Sequence, residues 1–215
     1  MKKIGIFLTF TISLLLCTIS FGQEQAAAPA YRDGECWQFK AREWDFITRS
    51  SAALDGIYEV CYLSGTLKMF QLEGTRRQEL EVNAGYRRAL LSMLAIAQDP
   101  VVESQYYEYL KFPIAVGANW RRSYSFKAPG SRFIASPRVA ETRVVTREEV
   151  KTQAGSFLAF RVERDETGEG GVRQAYVYYY SPETRSIVKY FFDASVGTGS
   201  AKREIELIKA PAPAR

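Results

Sequence analysis

The chain has 215 residues, with 29 Lys or Arg, 24 Asp or Glu, three cysteines and no histidine. That length holds one domain, or two small ones, around a real core, and 47% hydrophobic against 25% charged residues excludes wholesale disorder. Lack of histidine excludes a Ser-His-Asp or Cys-His engine, histidine acid–base chemistry and any His-ligated metal site in these residues.

Lys2 and Lys3 precede an uncharged stretch from Ile4 to Gly22, and Ser20-Phe21-Gly22 offers small residues ahead of a cut before Gln23. This is the pattern of a secretory signal peptide over residues 1–22. An uncleaved anchor is the alternative, since the stretch is nearly long enough to span a bilayer. Leu14-Leu15-Leu16-Cys17 is similar to a lipoprotein signal, although Leu16 stands where a small residue belongs. The sequence therefore predicts an exported chain, periplasmic or extracellular, with outer-membrane association as an option and no membrane span after cleavage. Losing Lys2 and Lys3 leaves 27 basic against 24 acidic residues. That excess is too small to argue for nucleic acid. Arg76-Arg77, Arg87-Arg88 and Arg121-Arg122 each have acids nearby and read as solvated faces.

Two cysteines remain after cleavage, Cys36 and Cys61. In an oxidising compartment an even pair favours a disulfide. Two buried free thiols are the alternative. A thiol enzyme is disfavoured, because there is no C-x-x-C and no histidine to activate a thiolate.

Residues 23–30 lack apolar periodicity and read as a flexible spacer, and 210–215 as a disordered Ala/Pro tail. Between them, 31–209 reads as a single β-rich domain. Its N-terminal meander is expected over 31–82. There Trp37, Phe39 and Ala41 alternate with polar neighbours, a wide turn falls at 48–56, and runs 57–63, 66–72 and 76–82 are separated by Ser64-Gly65 and Glu73-Gly74. Over 83–98 the period becomes helical: Tyr86, Leu90, Met93 and Ala97 share a stripe, with Asn83 as N-cap and Pro100 as stop. That helix packs on the sheet or, alternatively, docks a partner. The main sheet is expected over 105–209. Trp120, Arg122, Tyr124 and Phe126 share a strand face, and a long strand over 138–152 turns at 153–156 into a returning strand with Leu158, Phe160 and Val162 on one face. A glycine-rich loop at 167–171 and strands 172–180, 186–193 and 203–209 complete it. Successive strands on short turns imply a curved antiparallel meander sheet or a partly closed barrel, with one short α-helix.

Three segments of this half carry a resemblance. Phe112-Pro113-Ile114-Ala115-Val116-Gly117-Ala118-Asn119-Trp120 resembles the F-P-L-x-V-G-x-x-W opening of a group of exported bacterial domains. Residues Val150 to Val162 are similar to their V-x-V-P-A-G-x-F-x-A-x-x-V hairpin, with Gln153 in place of proline. Tyr178-Tyr179-Tyr180-Ser181-Pro182 through Tyr190 resembles their W-Y-S-P-x-x-x-x-V-K strand pair, with Tyr179 for tryptophan. These are TapB-like and related envelope domains. The resemblance covers about half the chain, implies an exported β fold and supplies no catalytic residues.

Thirteen tyrosines are the compositional oddity. Tyr176, Tyr178 and Tyr180 alternate along one strand, and Tyr190 and Phe192 along the next. They read either as a packed aromatic ladder or, with Trp120, Tyr124 and Phe126, as an apolar cup with hydroxyl tips for a lipid or other amphipathic small molecule. Glu163, Asp165 and Glu166 form the best carboxylate cluster, suited to glycosidase-type acid–base work or, more simply, to a solvated turn. No phosphate loop, nucleophile elbow, dinucleotide fingerprint or calcium-type ligand spacing is present. The sequence thus predicts a non-enzymatic envelope protein that binds a hydrophobic or amphipathic ligand, without catalytic residues, cofactor or metal. An assembly subunit that offers a sheet edge to another envelope protein is the alternative, and a carboxylate hydrolase the third.

Overall fold

The computed structural model describes residues 24–45, 55–80, 93–94, 109–126, 136–196 and 199–211. In chain order its strands are β1 (Gln25–Ala26), β2 (Cys36–Asp45), β3 (Gly56–Leu63), β4 (Thr66–Glu73), β5 (Arg76–Leu80), β6 (Ile114–Ala115), β7 (Asn119–Phe126), β8 (Ser136–Thr152), β9 (Gly155–Gly168), β10 (Val172–Ser181), β11 (Ser186–Val196) and β12 (Gly199–Lys209). The signal, the Cys17 motif, most of the 48–56 turn and the end of the tail lie outside the described residues. So does the 83–98 helix, apart from Met93 and Leu94, which form a turn and are buried. No described helix is long and apolar enough to cross a membrane.

Ten strands form one antiparallel sheet in the order β5-β4-β3-β2-β12-β11-β10-β9-β8-β7. Two meanders are fused in it, because β2, the first strand of the N-terminal meander, pairs with β12, the last strand of the chain. The sheet is open, and β5 and β7 are its ends among the described residues. It is also curved: β8 comes close to β11 and β12, which lie beyond two and three intervening strands respectively. At the tip of the β8–β9 hairpin the Gln153 N–H donates to Glu206 Oε1 on β12 at 2.7 Å.

Local chemistry explains the turns. Ser64 and Gly65 both have positive φ, 51° and 79°, the backbone of a two-residue hairpin whose twist matches the flanking strands. The Val145 region interrupts the β8–β9 register, and the strands turn over beyond it. This corrects the expected alternation: Leu158 is 47% exposed, whereas Phe157 is buried with Ala159 and Phe160.

Residues 24–30, read from the sequence as a spacer, carry β1, which pairs with β6 through Gln25↔Ala115 and Ala26↔Ile114. Ala26 and Ile114 are buried in the core. A small side chain at Ala26 allows that close approach, a signal that periodicity does not register in two residues.

Cys36 and Cys61 face each other across β2 and β3 and are disulfide-bonded. The two are 25 residues apart, so the bond removes about 3.5 kcal/mol of unfolded-chain entropy. The double variant Cys36→Ala/Cys61→Ala is expected to fold with stability lower by about 2–4 kcal/mol in denaturant titration; an unchanged midpoint would contradict the structural role.

Candidate functional site

One face of the sheet is buried, and it gathers the aromatic residues read from the sequence. Register sets them in files that run across strands. Trp120 (β7), Thr142 (β8), Arg164 (β9), Tyr176 (β10), Phe192 (β11), Arg203 (β12) and Glu43 (β2) are successive cross-strand partners. The next file runs Val144, Val162, Tyr178, Tyr190, Ile205, Ala41. A third brings Arg147, Phe160 and Tyr180 together. Tyr176, Tyr178, Tyr180 and Tyr190 are buried, and Trp120, Tyr124 and Phe192 half-buried. Phe126 ends β7, and its side chain lies outside the described residues.

The rings pack closely. Tyr176 and Phe192 lie 5.0 Å apart, and Tyr178 and Tyr190 stack at 6.4 Å. Tyr109, which the sequence reading passed over, sits on this file: its ring meets Tyr176 at 6.1 Å, Tyr178 at 5.8 Å and Tyr190 at 6.3 Å. The Tyr178 hydroxyl donates to the Tyr109 carbonyl oxygen. Met93, Leu94, Leu110 and Ile114 belong to the same core, and Met93 accepts a backbone bond from Ile187 at 2.6 Å. Over its middle, then, the aromatic face is covered by the chain itself.

Charge is set into that face. Arg164 and Glu166 are both almost fully buried. Arg164 Nε donates to Glu166 Oε1 at 2.8 Å, its Nη2 lies 2.6 Å from the same oxygen, and the Tyr124 hydroxyl donates to Oε2 at 2.6 Å. The Arg164 guanidinium also lies 5.8 Å from the Tyr176 ring centre. Arg203 pairs with Glu43 and lies 5.5 Å from Phe192. The sequence held a signal for both arginines: Arg164 is in phase with Phe160 and Val162, and Arg203 with Ile205 and Leu207.

The carboxylate cluster does not converge. Strand alternation puts Glu163 and Asp165 on the opposite face from Glu166. Glu163 is held there by Arg143 at 2.6 Å and Arg161 at 2.7 Å, and Asp165 is exposed. The expected solvated turn is instead the body of β9, since that strand runs on to Gly168. Cys36, Glu59 and Cys61 have ligand atoms within 4.8 Å of one another, but the two sulfurs are bonded to each other and offer no thiolate.

Where the aromatic face reaches the β8–β9 tip it meets a groove of about 820 Å3. Phe157, Phe160 and Tyr180 form one side, residues 24–30 the other, and the 182–185 turn with Ala210 and Pro211 an end. Arg185 ties the two sides: its guanidinium donates to the Ala30 carbonyl at 2.7 Å and to Glu35 Oε1 at 2.6 Å. Burial raises the Glu35 pKa, but the Arg185 hydrogen bond, the Arg32 N–H and the Arg185 charge outweigh it and hold the carboxyl below its ordinary value.

No protein-family model and no curated protein matches the sequence. Among solved structures, the chain is similar to the hypothetical lipoprotein YmcC from Escherichia coli (K12). The two are 10% identical over 86% of this chain and 91% of that one, with a TM-score of 0.41. It is also similar to a protein from Bacteroides fragilis NCTC 9343 described as exported with a YmcC-like fold. That pair is 11% identical over 86% and 98%, with a TM-score of 0.32.

Two outcomes follow from this geometry. Glu166→Ala leaves the Arg164 charge buried without its carboxylate and is expected to cost about 3–5 kcal/mol in chemical denaturation, whereas the apolar double replacement Arg164→Met/Glu166→Leu costs far less. Equal losses for the two would refute the ion-pair account. Burial, foremost, raises the pKa of Tyr176, Tyr178 and Tyr190. Because the folded values lie above the unfolded one, their stabilisation is complete below about pH 10 and is lost as pH climbs toward the folded values. Tyrosinate absorbance for these groups should therefore rise together with loss of the β-sheet circular dichroism signal. Ionisation completed in a still-native spectrum would contradict it.

Proposed function

We propose that the chain is an exported, non-enzymatic protein of the bacterial envelope that binds a hydrophobic or amphipathic ligand at the aromatic side of its curved sheet. The groove carries this reading: its volume lies within the range of small-molecule sites, and it opens where the tyrosine file ends at Tyr180. The Ala- and Pro-rich stretch 27–30, with Pro182 and Pro211, supplies the accessible apolar contact. Phe157, Phe160 and Tyr180 are the buried rings of its floor, and Tyr176, Tyr178 and Tyr190 form the rigid wall behind it. The Cys36–Cys61 disulfide suits an oxidising compartment and supports export, as does the basic-then-apolar N-terminus.

Native mass spectrometry on protein exported into a bacterial periplasm and purified gently tests the proposal. A bound mass of lipid size is expected, released on denaturation. Phe157→Ala should lower its occupancy more than Tyr178→Ala does, because Phe157 lines the groove and Tyr178 lies behind it. An empty protein that instead captures an envelope polypeptide would overturn the ligand reading in favour of an assembly subunit.

A further inference from the structure

The groove carries a charge pattern that apolar contact alone does not require. Arg147 lies over Phe160, 5.2 Å from the ring centre, and its side chain is only 19% exposed. Its Nε is buried and makes no hydrogen bond. The guanidinium instead meets the carboxylate of Glu24, whose own side chain is 67% exposed. Glu24 precedes β1, which begins at Gln25, so its side chain swings away without breaking a strand pair. An exposed carboxylate on a flexible stem is a weak tether. A guanidinium on an aromatic ring, partly removed from water, favours any carboxylate that meets its fork. Three arginines (Arg32, Arg147, Arg185) and two glutamates (Glu24, Glu183) line the groove, and Arg185 is already engaged by Glu35 and Ala30.

We infer that the groove takes a single-chain amphiphile with a carboxylate head. The acyl chain lies along the accessible Ala- and Pro-rich lining, Ala27 to Ala30 with Pro182 and Pro211, over a floor of buried rings, and the head pairs with Arg147. Glu24 is the intramolecular stand-in that the head displaces. This rests on the ligand-binding function proposed above and adds the chemistry of the head group.

Calorimetric titration of the exported, purified chain near neutral pH with laurate, dodecanol and lysophosphatidylglycerol tests it. Laurate is expected to bind at least about tenfold more tightly than dodecanol, and Arg147→Gln to weaken laurate by about tenfold while leaving dodecanol unchanged. Glu24→Gln should tighten laurate about threefold, because the competitor is gone. Both variants break the same ion pair, so a purely structural role moves them in the same direction; opposite signs separate recognition from scaffolding. Equal binding of laurate and dodecanol, or weakening by both variants, overturns the carboxylate head and leaves the apolar groove standing. Tighter binding of lysophosphatidylglycerol than of laurate overturns it in favour of a phosphodiester head. If none of the three binds, this inference and the proposed function fall together.

Discussion

Everything in this fold depends on the pairing of β2 with β12. Antiparallel register from Ala201↔Asp45 to Lys209↔Gln38 joins strands from opposite ends of the chain. Without that seam the molecule is two meanders, each with an unpaired inner edge and an aromatic face that ends in water. With it, Ile205 meets Ala41 and Leu207 meets Phe39 across one continuous core. Trp37, on the first strand of the seam, is fully buried, and its indole N–H donates to the Thr184 carbonyl at 2.7 Å. The 182–185 turn that receives this bond also walls the groove, so one contact positions both core and site. That contact joins residues 147 apart in sequence, so it is gained only after a long loop has been closed.

The second constraint is how an aromatic face accommodates buried arginine. Taking a guanidinium out of water is costly unless its donors are met. Arg164 is met by Glu166 Oε1, through a hydrogen bond from Nε and a close charge contact from Nη2, and by the faces of Tyr109 and Tyr176. Arg203 has Glu43 and Phe192. Both arginines lie in one cross-strand file with Phe192 and Tyr176 between them, so a slip of one residue in β9 or β12 would turn a buried cation onto the outer face. Leu, Ile and Val at those positions would tolerate such a slip more easily than a charge that has only one place to be paired. Register in the wide sheet is therefore specified by polar groups as well as by apolar burial.

Most of the fold was legible because period-two alternation is a strong signal in strands of this length. The hairpins at Ser64-Gly65 and at 153–156, the antiparallel pairing of successive strands across short turns, and the clustering of Tyr176, Tyr178 and Tyr190 on one face all follow from it, whereas the β2–β12 seam joins distant parts of the chain and leaves no local period. The same signal failed where a second effect intervened. The irregularity near Val145 rotated the β8–β9 tip and inverted Leu158 and Phe157. Glu163, Asp165 and Glu166 looked like a cluster because they are neighbours in sequence, yet a strand sends alternate residues to opposite faces. Tyr109 and β1 escaped notice for another reason. Their roles come from covering the face, a tertiary relation that no local period records, and the groove is built largely from such covering segments.

That origin explains why the candidate site lies where it does. Over the middle of the aromatic face the strands are long and the cover is the chain's own core, so the tyrosines there are committed to packing. At Tyr180 the sheet changes character: β10 ends at Ser181, the β10–β11 register shifts between Tyr179 and Tyr180, and β8 and β9 run on past it as a two-stranded tip. The cover changes too, from core residues such as Leu110 and Ile114 to the Ala- and Pro-rich stretch 26–30. Small side chains cannot fill the volume opposite Phe157 and Phe160, and the Arg185 bridge to Ala30 and Glu35 holds that stretch in place across the gap. A cavity at this end is thus the consequence of a short strand, an over-long hairpin and an alanine-rich cover, and the loosely tethered guanidinium of Arg147, set on the Phe160 ring, decides what kind of molecule it favours.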